Sequence, residues 1–438
     1  MNLIGNINAI PFRRFRGGGG VAPFPSIPGM IARYSALGLT NEQMATNPVW
    51  VDKTGNEHDL QMKNFAWKEG SGISDVYPGA LVFDGVDDYG VCDNFPILTK
   101  EKGYTVVALR QWISMGEGIS GLVSNVKNWF NDGAFVLEHN SNNATNKFVN
   151  RPVSFGNVNI EMDLPNNFTY QTSKSYKGVP ITTGSFKGTN SLFVGKLNNI
   201  IGNCSNVAIW ELVFLDHDAT EEELTKIKDY FVKTYPWLFP DQAWTVTGKT
   251  NEDEDRATIA NITGNGNDLV LSNFGFIEGS GYNEEGEYAG YLVTDGVDDK
   301  VQSSSFTMNE DWTIVGDWEL LSNVQINCGI VKAQNVYLYN TANGLFVSIN
   351  NPRSLQSFGT KSLHAICSDG RLYDRNWVEY EYTVDQNFKI VKSSLNIGFN
   401  LNNYAQIAFK NLGIYNNQIL SKDDCIKAYN YLQTLKAK

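Results

Sequence analysis

Hydrophobic and polar positions alternate in short runs along most of this chain, and helical spacing surfaces at two places. "YTVVALRQWI" (Tyr104 to Ile113) and "DWTIVGDWELL" (Asp311 to Leu321) carry Val, Ile, Tyr and Trp between Gly, Asn and Asp, the grammar of half-buried strands and their turns. At the first exception Thr220 precedes Glu221, Glu222 and Glu223, a capping box, and Leu224, Ile227, Tyr230 and Phe231 recur at the period of a helix face. At the second, Ser421 and Asp424 hold the same places before Cys425, Ala428, Tyr429 and Leu432. Pro236 and Pro240 in "YPWLFP" stop the first helix and begin a short, stiff connector. The pattern predicts strands throughout, with one helix closing each half.

The halves repeat each other. "TGNEHDLQMKNFAWKEGSG" (Thr54 to Gly72) aligns without a gap with "TGNGNDLVLSNFGFIEGSG" (Thr263 to Gly281). "LVFDGVDD" is answered by "LVTDGVDD", "YTVVALRQW" by "WTIVGDWEL" and "LFVGKLNN" by "LNIGFNLNN". The closing strand and helix, "VAIWELVFLDHDATEEELTKIKDYF", parallel "IAFKNLGIYNNQILSKDDCIKAYNYL". Matched blocks in one order mean two copies of one domain, placed at 30–237 and 241–436, behind a segment, 1–29, that belongs to neither. About 200 residues of antiparallel strand around one core make a large two-sheet sandwich. Trp112, Trp210, Trp312 and Trp318 fall in strand-like runs and are expected in the cores.

These blocks carry a resemblance. "LVFDGVDDYGV", "YTVVALRQWI", "SLFVGKLNN" and "NVAIWELVFLDHDATEEELTKIKDYF" resemble the concanavalin A-like lectin/glucanase superfamily in its LamG-type form. The resemblance implies an all-β chain of two tandem concanavalin A-like antiparallel β-sandwiches, each with a short C-terminal helix. It leaves function open, since that fold carries lectins, hydrolases and inert modules.

Composition narrows the partners. The chain has 438 residues, 42% hydrophobic and only 19% charged, with a formal net charge of −12. Acidic balance excludes a sequence-independent nucleic-acid binder, which needs basic surface, and leaves neutral sugars, cations and proteins. No run approaches the length of an apolar membrane span, so no membrane insertion is expected. The beginning lacks the order of a secretory signal. Five scattered cysteines form neither a disulfide framework nor a metal knuckle and read as reduced thiols.

The repeated acidic turn admits two chemistries. Asp84, Asp87 and Asp88, with Asp295, Asp298 and Asp299, are short carboxylates around a glycine, capable of meeting calcium, the one cofactor the sequence suggests. No cofactor is required, however, because Asp side chains also bind their own turn backbone and Gly85 and Gly296 supply positive φ. Calcium wants six to eight oxygens, more than a pentapeptide offers. The structural corner is the favoured expectation.

Catalysis is expected to be absent. Glucanases of the superfamily carry E-x-D-x-x-E on one strand face; Glu161 and Asp163 open that pattern, but residue 166 is Asn. Glu379 and Glu381 alternate without a third carboxylate, and the four histidines, His58, His139, His217 and His364, are scattered. A divergent depolymerase using Glu161 and Asp163 is the alternative. Aromatics are better material, because the C–H faces of sugar rings stack on exposed Trp and Tyr. The candidates are Trp129, Phe130, Tyr170, Tyr373 and Trp377, expected in loops that differ between the copies.

Residues 1–29 suggest context. Phe12, Arg13, Arg14, Phe15 and Arg16 precede four glycines and the spaced prolines Pro23, Pro25 and Pro28, the form of an anchor, a hinge and an extended spacer. An N-terminal docking segment ahead of tandem sandwiches resembles virion proteins of tailed bacteriophages of gut bacteria. The resemblance implies a structural head, tail or fibre protein, made in the host cytoplasm without a signal peptide and incorporated in the virion. It would bind other virion proteins through 1–29 and touch host-surface polysaccharide or protein through its sandwiches; a purely architectural subunit is the further alternative. No heptad imposes an oligomer, so homo-oligomerisation stays open.

Overall fold

The computed structural model describes residues 23–114, 120–126, 135–139, 149–150, 160–161, 167–180, 188–198, 203–322, 328–333, 336–341, 344–349, 356–358, 362–381, 391–397, 399–400 and 403–437. These form two compact units that meet in the chain between Thr234 and Tyr235. Each is an antiparallel β-sandwich with a helix near its C-terminal end, the fold class expected from the pattern.

In the first unit one sheet is built on Thr105–Ser114 paired with Asn206–Leu215; Phe168–Thr172 lies outside the former, and Leu81–Asp84 and Met30–Ser35 flank the latter. The facing sheet centres on Gly121–Val126, Gly188–Val194 and Tyr89–Cys92. The second unit repeats this order. Trp312–Ser322 pairs with Gln406–Asn416, Leu363–Cys367 lies outside the former, and Tyr291–Val293 and Gln242–Thr245 flank the latter.

Alternation along Trp312–Ser322 sorts its side chains between core and outer face. Trp312, Ile314, Trp318 and Leu320 enter the core, while Asp317 bonds to Gln433 of the helix on the other face. Gly316 is small for a reason: a Cβ there would come within 2.5 Å of the Trp318 ring and 2.8 Å of the Asn411 carbonyl. All four tryptophans expected in the cores are buried.

The first core keeps a charge where the second is apolar. Arg110, in register with Trp318, points inward and meets Glu138 of the facing sheet, Nε to Oε2 at 2.7 Å and Nη2 to Oε1 at 2.5 Å. Trp112, Thr169 and Tyr176 donate to the same carboxylate at 2.9, 2.6 and 2.7 Å. Burial opposes ionisation, but the guanidinium beside it holds Glu138 below the usual carboxylate range.

Three helices are described. α1 (Asn41–Thr46), which the pattern did not announce, starts with a capping box between Thr40 and Gln43 and buries Met44. α2 (Glu221–Thr234) opens on the expected box: Thr220 N donates to Glu223 Oε2 at 2.9 Å and Glu223 N to Thr220 Oγ1 at 3.3 Å. α3 (Lys422–Gln433) is capped by Ser421, whose Oγ accepts from Asp424 N at 3.1 Å. The α3 face needs one correction. Tyr431, and not Tyr429, joins Cys425, Ala428 and Leu432 in burial, while the half-buried Tyr429 stacks on His364 at 4.2 Å. The connector is also more than a spacer: Pro236–Leu238 forms a 3₁₀ turn that buries Trp237 and Leu238, and Tyr415 Oη donates to the Trp237 carbonyl at 2.9 Å. Cys92, Cys204, Cys367 and Cys425 are buried.

Candidate functional site

The repeated blocks "NFAWKEGSG" and "DGVDD" form one corner. Asp84 Oδ1 accepts the backbone N–H groups of Val86, Asp87 and Asp88 at 2.8, 3.3 and 3.4 Å, and Asp88 Oδ2 accepts that of Asp84 at 3.1 Å. Asp295 and Asp299 repeat the set at 2.8, 3.2, 3.4 and 2.7 Å. Gly85 and Gly296 stand at φ +79° and +74°, where a side chain is strained. The preceding block closes the corner from outside: Asn64 and Asn273 donate to the carbonyls of Asp87 and Asp298, each at 3.0 Å, and Ser280 Oγ donates to Asp299 Oδ1 at 3.1 Å. Burial pushes the Asp88 and Asp299 carboxyls up to about 6, against the opposing pull of these hydrogen bonds.

In each copy the three carboxylates can place one oxygen apiece within 4.8 Å of the others, close enough to share a cation. One oxygen of Asp84 and one of Asp88, and likewise of Asp295 and Asp299, already accept backbone N–H groups and fix the reversal between strands. The geometry accounts for the repetition as a corner.

The other expected site residues scatter. Trp129, Phe130 and Asp163, and Phe12, Arg13, Arg14, Phe15 and Arg16, lie outside the described residues. Glu161 is in the two-residue strand Ile160–Glu161. Tyr170 lies on a strand, not in a loop, paired with Val107, half-buried with its ring 5.9 Å from that of Phe168. Tyr373 is likewise a strand residue. It is fully buried, with its hydroxyl accepting from Arg371 Nη1 at 3.0 Å, so its ring offers no face for a sugar. His58 and Asn267, which replace each other between the copies, act through their carbonyls, accepting from Tyr34 Oη and Trp244 Nε1. Glu379 and Glu381 are exposed on one short strand.

Trp377 is the candidate that keeps company. It sits in the turn between Arg371–Asp374 and Glu379–Glu381 at φ +60°, a position natural to glycine that costs an L-residue roughly 1–2 kcal/mol. Asp374 enforces it: its Oδ1 accepts from Asn376 N and Val378 N at 2.8 and 2.9 Å, and its carbonyl from Trp377 N at 2.9 Å. The turn aims the half-buried indole at α3, 5.8 Å from the Tyr429 ring and 5.4 Å from His364, which stacks on Tyr429 at 4.2 Å. Burial keeps the His364 imidazole below its ordinary pKa, so this aromatic surface is uncharged at neutral pH.

Polar groups border it. Asp317 Oδ2 accepts from Tyr291 Oη at 3.0 Å and Gln433 Nε2 at 2.9 Å, and the half-buried Glu319 lies 3.8 Å from the exposed Arg375. Lys410 Nζ sits 5.5 Å from the centre of the Tyr291 ring. Half-exposed rings beside a row of carboxylates and amides can stack a sugar's apolar face and bond its hydroxyls. The sequence reading missed Asp317, Glu319, Tyr291, His364, Tyr429 and Gln433. The signal was divergence at matched positions: Asp317 stands in register with Leu109, Tyr291 with Ala80, and Tyr429 takes the helix position of Lys228.

No protein-family model matches the chain, and no curated protein does. Among solved structures, Trypanosoma rangeli sialidase in complex with sialic acid is 13% identical, with a TM-score of 0.29 over 48% of this chain and 34% of its own. The chain thus spans about a third of that sialidase's length. Domain 4 of AbnA, a GH43 extracellular arabinanase from Geobacillus stearothermophilus, in complex with arabinotriose, is 14% identical with a TM-score of 0.28, covering 43% of this chain and 99% of that one. The binding domain of Botulinum Neurotoxin DC in complex with SialylT is 8% identical with a TM-score of 0.32, over 89% and 99%. With identities and TM-scores this low, none of these likenesses transfers a ligand to this chain.

Proposed function

We propose that this chain is a non-enzymatic glycan-binding protein whose second sandwich holds a sugar on the Trp377–Tyr429 surface, bounded by Asp317, Glu319 and Gln433. The observation that carries the reading is Trp377 itself, a bulky ring held at a left-handed backbone position by Asp374 and turned toward two further rings. Backbone strain of this kind persists where the surroundings enforce it and clusters at ligand contacts.

The test is titration of the full chain with oligosaccharides from bacterial surface polysaccharides, following tryptophan fluorescence, with reducing ends measured in parallel. Saturable quenching without new reducing ends is expected. Absence of binding across a broad panel on folded protein would refute the glycan reading, and release of reducing ends would return attention to Glu161 and Asp163.

The wider setting we propose is a phage virion, where residues 1–29 would attach the chain to other virion proteins and the sandwiches would face host glycans. The three arginines and two phenylalanines ahead of the glycine run support it, as does the tandem architecture. Probing purified particles for this polypeptide tests it, and its absence from them would remove the setting while leaving the sugar site intact.

A further inference from the structure

We infer that the surface around Trp377 takes sugars that carry no carboxylate, and that among the described residues this surface is built in the second unit and not in the first. This rests on the glycan reading above and names the class of sugar for that same site.

Charge around the rings sets the class. Glu319 is 28% exposed beside the patch, and Glu379 and Glu381 are exposed on the strand that follows Trp377. Glu319 and Glu287 both help burial to raise the pKa of the Tyr288 hydroxyl, which places their charges along the same margin. The neighbouring cations are engaged: Arg375 faces Glu319 at 3.8 Å, and Lys410 lies over the Tyr291 ring. Asp317 has two donors of its own from Tyr291 and Gln433. A sugar carboxylate arriving here meets more negative than positive charge, and like-charge juxtaposition is how a surface rejects a partner. Hydroxyl and ammonium groups, as donors, find acceptors instead. The chain's net charge of −12 acts in the same direction at longer range.

Register sets the number of sites. At the matched positions the first unit has Ala80 for Tyr291, Leu109 for Asp317 and Lys228 for Tyr429. Ala80 and Leu109 are buried and bring neither hydroxyl nor carboxylate, so the first unit lacks the acceptor and two of the rings.

The experiment starts from the tightest neutral oligosaccharide of the panel and compares it, by calorimetry on the full chain, with the same sugar oxidised to a uronate and with the uronate's methyl ester. The expected results are one site per chain, at least tenfold weaker binding of the uronate, recovery with the ester, and a smaller gap for Glu319→Gln. Equal or tighter binding of the uronate, or two equivalent sites, would overturn the inference while leaving glycan binding in place. Binding of none of the three would remove the glycan reading and this inference together.

Discussion

Asp88 and Asp299 are each buried at the centre of a corner, and burial lifts both carboxyls to about 6; desolvation lifts the half-buried Asp241, at the start of the second unit, to about 7. An acid whose folded pKa is raised stabilises the fold fully below its unfolded pKa, and that contribution is lost as pH rises through the folded value. The melting temperature is therefore expected to fall between about pH 4 and about pH 7 and to level off above that. In Asp88→Asn/Asp299→Asn the slope should flatten and stability at about pH 8 should rise, since Asn can still accept the Asp84 or Asp295 N–H without a charge. Calorimetric scans across that range check this; a double variant less stable at every pH would contradict it. The corner was legible in the sequence down to its Asx contacts and its glycine. Trp377 was legible only as an aromatic in a variable stretch, because positive φ at a tryptophan runs against local preference and is imposed by Asp374 from the preceding strand.

Among elements, the helices show which parts of a pattern survive packing. Thr220 and Ser421 cap as expected, since a cap is a local hydrogen bond; Thr220→Ala should cost about 1 kcal/mol, measured by urea unfolding. On α3 Tyr431 is buried where Tyr429 was expected, because what packs against a helix margin decides which of two neighbouring tyrosines is covered, and one sequence does not name that neighbour. Likewise Tyr170 and Tyr373 looked like loop residues, since nothing in their own stretch specifies a strand register. The Arg110–Glu138 pair joins two sheets through residues 28 apart in the chain, and only the fold brings them together. Glu138→Ala leaves that guanidinium buried without its partner and is expected to destabilise by about 3–5 kcal/mol, against far less for Lys226→Ala at the exposed pair with Glu222.

At the scale of the whole molecule, one domain plan is written twice with different side chains at matched positions. Matched blocks announced both sandwiches and their shared order of strands, because repeated hydrophobic patterning and turn chemistry are local signals. On one sheet face the units differ at a few matched positions, Ala80 against Tyr291 and Leu109 against Asp317, which only the register brings side by side. Since backbone N–H groups already hold each acidic corner together, the melting temperature should be the same in calcium and in EDTA; a rise in calcium abolished by Asp87→Asn/Asp298→Asn would make the corners metal sites. Among the described residues no helix is long and apolar enough to cross a membrane.

The central claim is that Trp377 is held in a costly backbone conformation for the sake of a ligand. The most direct measurement pairs calorimetric binding with thermal unfolding for the full chain and its Trp377→Gly variant. Glycine relieves the left-handed strain while giving up ring contacts, so the melting temperature is expected to stay within a few degrees, while sugar affinity falls at least tenfold, as for an aromatic anchor at the centre of a contact. A variant that melts far lower yet binds sugar as tightly as the parent would contradict the account and make Trp377 a packing residue.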